Sequence, residues 1–261
     1  MNQEKNRPNV LAIIQARMGS SRLPGKVLKD ICGVPMLEWV STRAAMAEGV
    51  DKVVIATTEN ERDDPIEEFC NSKGIACFRG AEFDVLDRFY HAAEKYNVDI
   101  IVRLTADCPL IDPGLIDEVI EKLLSTGADF AANRLPPPYR RTYPIGLDVE
   151  AVRFAALKTA WKRAKKLYER EHVLPYIYNP DNSFCVEIVD GERDLGNLRW
   201  TVDTELDLVF VRKVAEKLGC SFKFTWEDVL DILESHPDLE KININVPHKS
   251  YNDVDERLGN E

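Results

Sequence analysis

The chain has 261 residues, enough to bury a substantial core in one large domain without needing a disulfide or metal staple. Its 34 Lys and Arg against 45 Asp and Glu leave a formal net charge of −11, which opposes nonspecific binding to nucleic acid or to an anionic membrane surface. Any anionic ligand must therefore be met by a local basic pocket. The opening MNQEKNRPN is polar, no later run approaches the ~20 apolar residues that span a bilayer, and the six cysteines form no C-x-x-C pair or metal-ligand spacing. These features predict a soluble, cytoplasmic protein with reduced, mostly buried thiols.

Short Val- and Ile-rich runs near 10–15, 52–57, 75–79 and 99–104 read as strands buried on both faces. Between them, MLEWVSTRAAMAEG, ERDDPIEEFCNSKG and DVLDRFYHAAEKYN carry apolar residues at helical spacing, and two of the three close on Gly. Alternating units of this kind predict an α/β fold with a mostly parallel sheet flanked by helices, whose ligands bind at the carboxyl ends of the strands. Asp112 and Pro113 open a further helix. NRLPPPYRRTYPIGLDVE is proline-rich and irregular, and predicts an inserted arm over about 132–185 that includes a helical segment at about 151–168. LRWTVDTELDLVFVRKVAEKLG then reads as a strand, a turn at Asp203-Thr204 and a helix. No Gly- and Ser-rich linker or internal repeat divides the chain, so residues 1–261 are expected to form a single domain carrying the arm.

Three stretches carry chemistry. QARMGSSRLPGK, 15–26, leaves the first strand where phosphate usually sits. Gly19 and Gly25 let the backbone approach an anion, Ser20 and Ser21 can donate hydroxyls, and Arg17, Arg22 and Lys26 supply three cations suited to a triphosphate. A solvated basic turn is the other reading. The loop matches neither G-x-x-x-x-G-K-[ST] nor G-x-G-x-x-G, so neither a P-loop ATPase nor a dinucleotide site is supported. In IIVRLTADCPLID, Asp107 ends a strand and faces the same crevice, as a ligand for a divalent cation or as a turn cap. In RWTVDTELD, Asp203 is either a second magnesium ligand or a helix cap, a role that Thr204 can fill instead.

In these stretches the chain resembles the CMP-sugar-acid synthetases, the cytidylyltransferase family of the acylneuraminate and ketodeoxyoctonate enzymes, and most of all its spore-coat-polysaccharide type. The resemblance runs from IIQARMGSSRLPGKVL through LTADCPLID and GLDVE to REHVLPYIY and RWTVDTELD. It implies a Rossmann-like nucleotide-diphospho-sugar transferase fold and transfer of CMP from CTP to an acidic sugar, with Mg²⁺ and release of pyrophosphate, for surface polysaccharide or glycan synthesis. Carried over, Arg17, Arg22 and Lys26 hold the triphosphate and Asp107 and Asp203 hold magnesium. Ala16, with Gly19, Ser20 and Ser21, borders the nucleotide, as do Arg79 and Arg88. Arg88 can equally pair with Asp84 one helical turn away.

The sequence departs from better-known members in the arm. There Arg140 and Arg141 can meet an acceptor's carboxylate or phosphate or be simply solvated on the proline-rich arm, and Asp148 can orient an acceptor hydroxyl or cap a turn. His172 has no Ser or Cys partner at triad spacing and is expected to be a packed or interface histidine. Val173, Leu174, Tyr176, Ile177 and Tyr178 beside the arm suggest a homodimer. Two rivals stand beside this reading: a glycosyltransferase using a ready-made nucleotide sugar, which needs less positive charge near the first strand, and a noncatalytic CTP-binding regulatory protein, which can dispense with two metal carboxylates.

Overall fold

The structure is a computed structural model that describes residues 7–136 and 139–247. The polar residues 1–6 and two of the arm's prolines, Pro137 and Pro138, lie outside the described residues.

Strand β1 (Val10–Gln15) leads through the basic loop and a short 3₁₀ turn at Lys26–Leu28 into a small hairpin of β2 (Asp30–Ile31) and β3 (Val34–Pro35). Helix α1 (Met36–Ala44), β4 (Lys52–Thr58), α2 (Asp64–Lys73), β5 (Ala76–Gly80), α3 (Val85–Tyr96), β6 (Ile100–Thr105) and α4 (Pro113–Thr126) follow in alternation. β4, β1 and β6 are parallel neighbours and β5 extends the sheet beyond β4. The expected α2 and α4 end as their glycines allow, with Gly74 and Gly127 at left-handed φ of 66° and 70°. Gly49 plays no such part, because α1 stops at Ala44. Asp112 caps α4 by accepting from the Leu115 N–H.

β7 (Phe130–Ala132), β8 (Glu150–Arg153) and β9 (Val186–Ile188) complete a seven-stranded sheet in the order β5-β4-β1-β6-β8-β7-β9. β8 is antiparallel to both β6 and β7, and the other pairings are parallel. The helical segment expected at 151–168 is corrected here. Its first residues form β8, with Ala151 opposite Val102, and only then does the chain turn into α5 (Phe154–Arg163) and α6 (Leu167–His172). An edge left open at β6 is a stronger determinant than the local helical spacing, because pairing satisfies a row of buried backbone groups. The strand expected before Asp203 is also reduced, to one isolated bridge between Ile145 and Arg199. Helices α7 (Pro175–Tyr178), α8 (Glu205–Lys217) and α9 (Trp226–Ser235) close the order.

Alternate residues of β1 divide the core between the two faces of the sheet. Val10, Ala12 and Ile14 pack with α1, α2, α4, α8 and α9, and Leu11 and Ile13 pack with α3, α5 and α7. Val173, Leu174 and Ile177 are buried in this second layer of their own chain, which removes the sequence argument that they face a second subunit. The expectation of six reduced thiols is corrected as well. Cys32, at the tip of the β2–β3 hairpin, forms a disulfide with Cys220 after α8, while Cys70, Cys77, Cys108 and Cys185 are free. The pair is 188 residues apart in sequence, a proximity that local spacing cannot reveal. With it goes the argument from thiols to a reducing compartment. Among the described residues no helix is long and apolar enough to cross a membrane.

Candidate functional site

β1 and β6 are adjacent parallel strands whose last paired residues are Gln15 and Thr105. The chain leaves β1 toward β4 on one side, while β6 lies on the other, so their carboxyl ends form the switch point at which such sheets open a crevice. A cleft of about 280 Å³ lies there. Ala16, Arg17, Gly19, Ser20, Ser21, Arg22 and Lys26 line it from the basic loop, with Arg88 from α3, Asp107 after β6 and Asp203 before α8.

The loop's path is fixed by buried groups. The Met18 N–H donates to Asp63 Oδ1 at 2.7 Å, and Asp63 is 1% exposed and hydrogen-bonded to the Thr58 hydroxyl. The N–H groups of Ser20 and Gly25 both donate to the Met18 carbonyl at 3.0 Å. Gly25 closes the turn at φ 67°, where a Cβ would also press on the Met18 methyl at 3.3 Å. Lys26 follows at once and is aimed inward.

The Lys26 Nζ donates to Asp107 Oδ2 at 2.7 Å, Asp203 Oδ1 at 2.8 Å and the Val202 carbonyl at 2.9 Å. Burial alone would lower this ammonium's pKa. The two carboxylates outweigh that effect and hold it above its ordinary value. Burial likewise opposes ionisation of Asp203, but Lys26, Arg22 and Arg199 hold its carboxyl well below the usual carboxylate range. Arg22 and Arg199 reach the second oxygen, Oδ2, at 3.0 and 2.7 Å.

Asp203 is free for this because the helix is capped by its neighbour. The Thr204 hydroxyl accepts from the Asp207 N–H, and Asp207 in turn accepts from the N–H groups of Asp203 and Thr204. Asp207 is fully buried and is also bonded by Arg199 and by the Asn243 side chain. On the other side, the Val202 N–H donates to the Asp107 carbonyl at 2.8 Å, which ties the two carboxylate-bearing segments together.

Both aspartates thus present an oxygen within 2.8 Å of one cationic position. Two hard oxygen donors open to a cleft suit magnesium, which takes one or two carboxylates and completes its shell with phosphate oxygens and water. Among the described residues no group of three or more His, Cys, Asp or Glu side chains offers a metal cage, so a closed structural zinc site is not the match.

Other expected residues go elsewhere. Arg79 points to α2, where it pairs with Asp64 at 2.7 Å and Glu67 at 2.8 Å, and it is not in the cleft wall. Its place at the outer strand β5 sets it beside those carboxylates. Arg141 forms a two-pronged ion pair with Asp148, and Arg140 is exposed near Asp194; none of the three lines the cleft. Arg88 does not take Asp84, which is bonded by Arg170. Arg88 instead donates to the Ala81 carbonyl at 2.6 Å, and burial, with the like charge of Arg17, pushes its guanidinium down to about 10.

Glu171 and His172 at the end of α6 also line the cleft, as do Gln15, Glu82 and Thr105. His172 is therefore a cleft residue and not merely a packed one. No side-chain pattern in the sequence signals this. The residue that follows, Val173, is fully buried and adopts φ 73° and ψ −54°, and the Leu174 N–H donates to the His172 carbonyl at 2.9 Å. This is a strained γ-turn that a β-branched residue rarely accepts.

The cytidylyltransferase family model matches residues 11–241. The chain is 33% identical over 238 residues to the spore coat polysaccharide biosynthesis protein SpsF of Bacillus subtilis, covering 88% of this chain and 96% of that one. A 3-deoxy-manno-octulosonate cytidylyltransferase of Geobacter sulfurreducens matches 120 residues at 38% identity, 46% of this chain and 47% of its own. The solved structure of a cytidylyltransferase from Leptospira borgpetersenii superposes with a TM-score of 0.84 at 32% identity, over 93% of this chain and 99% of that one. The cleft, the sheet that forms it and these similarities agree: the chain is an enzyme of the cytidylyltransferase family.

Proposed function

We propose that this cleft transfers CMP from CTP to an oxygen of an acidic sugar and releases pyrophosphate, in the synthesis of a surface polysaccharide or glycan. The observation that carries the reading is the meeting of Arg17, Arg22 and Lys26 with Asp107 and Asp203 in one cleft at the strand switch point. A triphosphate needs that local positive charge, on a protein whose net charge is −11. The polysaccharide relative and the sugar-acid cytidylyltransferase support the substrate class.

In phosphoryl transfer the protein has little covalent work to do; it must neutralise charge and keep the attacking and leaving oxygens in line. Arg17 and Arg22 offer guanidinium forks to phosphate oxygens, and Ser20 and Ser21 offer hydroxyls beside them. Asp107 and Asp203 would hold magnesium, which supplies Lewis-acid neutralisation of phosphate charge. Glu171 and His172 form the part of the cleft wall contributed by the arm, the region in which the acceptor is expected to bind.

The test is pyrophosphate release from CTP across a panel of sugar acids, run beside UDP release from UDP-sugars. Release from CTP that depends on a sugar acid is expected. UDP release without it would favour a glycosyltransferase, and CTP binding with no turnover on any acceptor would favour a regulatory protein. Thermal shifts with magnesium should be larger for CTP than for ATP, GTP or UTP.

A further inference from the structure

An ammonium has three N–H donors, and those of Lys26 are matched by three acceptors: Asp107 Oδ2, Asp203 Oδ1 and the Val202 carbonyl, all between 2.7 and 2.9 Å away. In this arrangement Lys26 has no proton left for a phosphate. The carboxylate oxygens it joins are also those that would face a divalent cation, so the ammonium and the metal compete for one position. Lys26 is 9% exposed and its stem lies in the wall between the loop and the core, which keeps the competitor permanently at hand.

We propose that Lys26 is a tethered stand-in for the divalent cation: it holds Asp107 and Asp203 together in the nucleotide-free enzyme and is released to the anionic ligand when the metal takes its place. The inference rests on the reading of Asp107 and Asp203 as the metal carboxylates. Two carboxylates this close repel one another unless a cation lies between them, and the cost of that repulsion rises with burial. Asp203 keeps partners after Lys26 leaves, since its other oxygen is bonded by Arg22 and Arg199. Among the described residues the Asp107 carboxylate then keeps only the weak Cys108 thiol contact at 3.6 Å, so Asp107 is the group that most needs a replacement cation. The same exchange would couple the two halves of ligand binding. Metal entry frees a positive charge beside Arg17 and Arg22 at the moment a metal-bound triphosphate brings in negative charge.

The experiment measures magnesium binding to the nucleotide-free protein by calorimetry, for wild type, Lys26→Met and Lys26→Ala. Removing the competing charge should tighten magnesium binding by roughly ten-fold or more, and adding Asp107→Asn to Lys26→Met should abolish the gain. Equal affinity in wild type and Lys26→Met would overturn the proposal. In the wild type, reductive methylation of Lys26, read by mass spectrometry, should increase when magnesium is added; unchanged labelling would also overturn it, and this measurement needs no variant to fold. The proposed reaction fails separately. If no sugar acid yields pyrophosphate from CTP while Lys26→Met still binds magnesium more tightly through Asp107, the exchange stands and the reaction is wrong. If the reaction proceeds and the affinities are equal, the exchange is wrong.

Discussion

Asp107 and Asp203 share one cation but differ in what else depends on them. Replacing either with Ala should nearly abolish pyrophosphate release, because each contributes one of the two oxygens at the cation position. Stability should separate them. Asp203→Ala leaves Arg22, Arg199 and Lys26 short of a partner and should cost about 1–3 kcal/mol more than Asp107→Ala in urea unfolding, on the scale of a buried polar group left unpaired. Equal unfolding midpoints would show that the arginines do not depend on Asp203. Val173 gives a prediction of opposite sign to experience. Gly is ordinarily about 0.5–1 kcal/mol less stable than Ala in regular structure, but at φ 73° Ala retains the strain while Gly relieves it. Val173→Gly should therefore unfold at a higher temperature than Val173→Ala, even though both lose the buried side chain. It should still lower turnover if the turn, which begins at the His172 carbonyl, positions His172 in the cleft. If the alanine variant is the more stable, the turn is not strained.

At the scale of elements, the segment 197–204 is placed by one close approach. A Cβ on Gly146, which sits at φ 113°, would lie 2.6 Å from the Thr201 nitrogen and 2.7 Å from the Trp200 carbonyl carbon, both backbone atoms. Gly146→Ala should push that segment outward and carry Asp203 with it, lowering stability and turnover together; a variant with wild-type kinetics would show that the Ile145–Arg199 bridge does not position Asp203. Tyr143, three residues earlier, packs on Trp226, and burial together with Glu118, Glu227 and Asp190 raises its phenol to about 12. The folded state thus holds the proton more tightly than the unfolded chain, whose phenol titrates near ~10. Its contribution is intact below that pH and is lost as pH rises toward 12. The stability difference between wild type and Tyr143→Phe should shrink over that window, and a constant difference would place the phenol in water. Local pattern made β1, β4 and β6 legible as short Val- and Ile-rich runs, and α2, α3, α4 and α8 legible because each has an apolar period and a capping residue or Gly at one end. It misled at 151–153, where helical spacing gave way to a free sheet edge, and at 199–202, where a β-like run found only one bridging partner.

The molecule as a whole shows why part of the site was readable and part was not. Arg17, Arg22 and Lys26 lie in the loop after β1 and Asp107 just after β6, and a parallel sheet gathers strand ends by topology, so their convergence follows from the order of elements. Asp203, which follows no strand, joins them through the Ile145–Arg199 bridge and the Val202 N–H bonded to the Asp107 carbonyl. Arg79, Arg141 and Asp148 depend on which carboxylate or arginine folds against them, a tertiary fact that spacing does not encode. The Cys32–Cys220 bond is a fact of the same kind. It ties the hairpin six residues beyond Lys26 to the turn that follows α8, the helix that begins two residues beyond Asp203. The Arg212 side chain spans the same junction by donating to the Asp30 carbonyl at 2.8 Å. Closing so long a loop restricts the unfolded chain, so the bond should add about 2–4 kcal/mol to stability. Dithiothreitol should lower the melting temperature of the wild type and leave that of Cys32→Ser/Cys220→Ser unchanged, and thiol titration of the unfolded wild type should count four free groups before reduction and six after it. Six free thiols at the outset, or melting temperatures that coincide in oxidising buffer, would show that the two cysteines merely lie side by side. Since the bond links the segment bearing Lys26 to the helix behind Asp203, reduction should also weaken CTP binding in the wild type and leave the double serine variant indifferent.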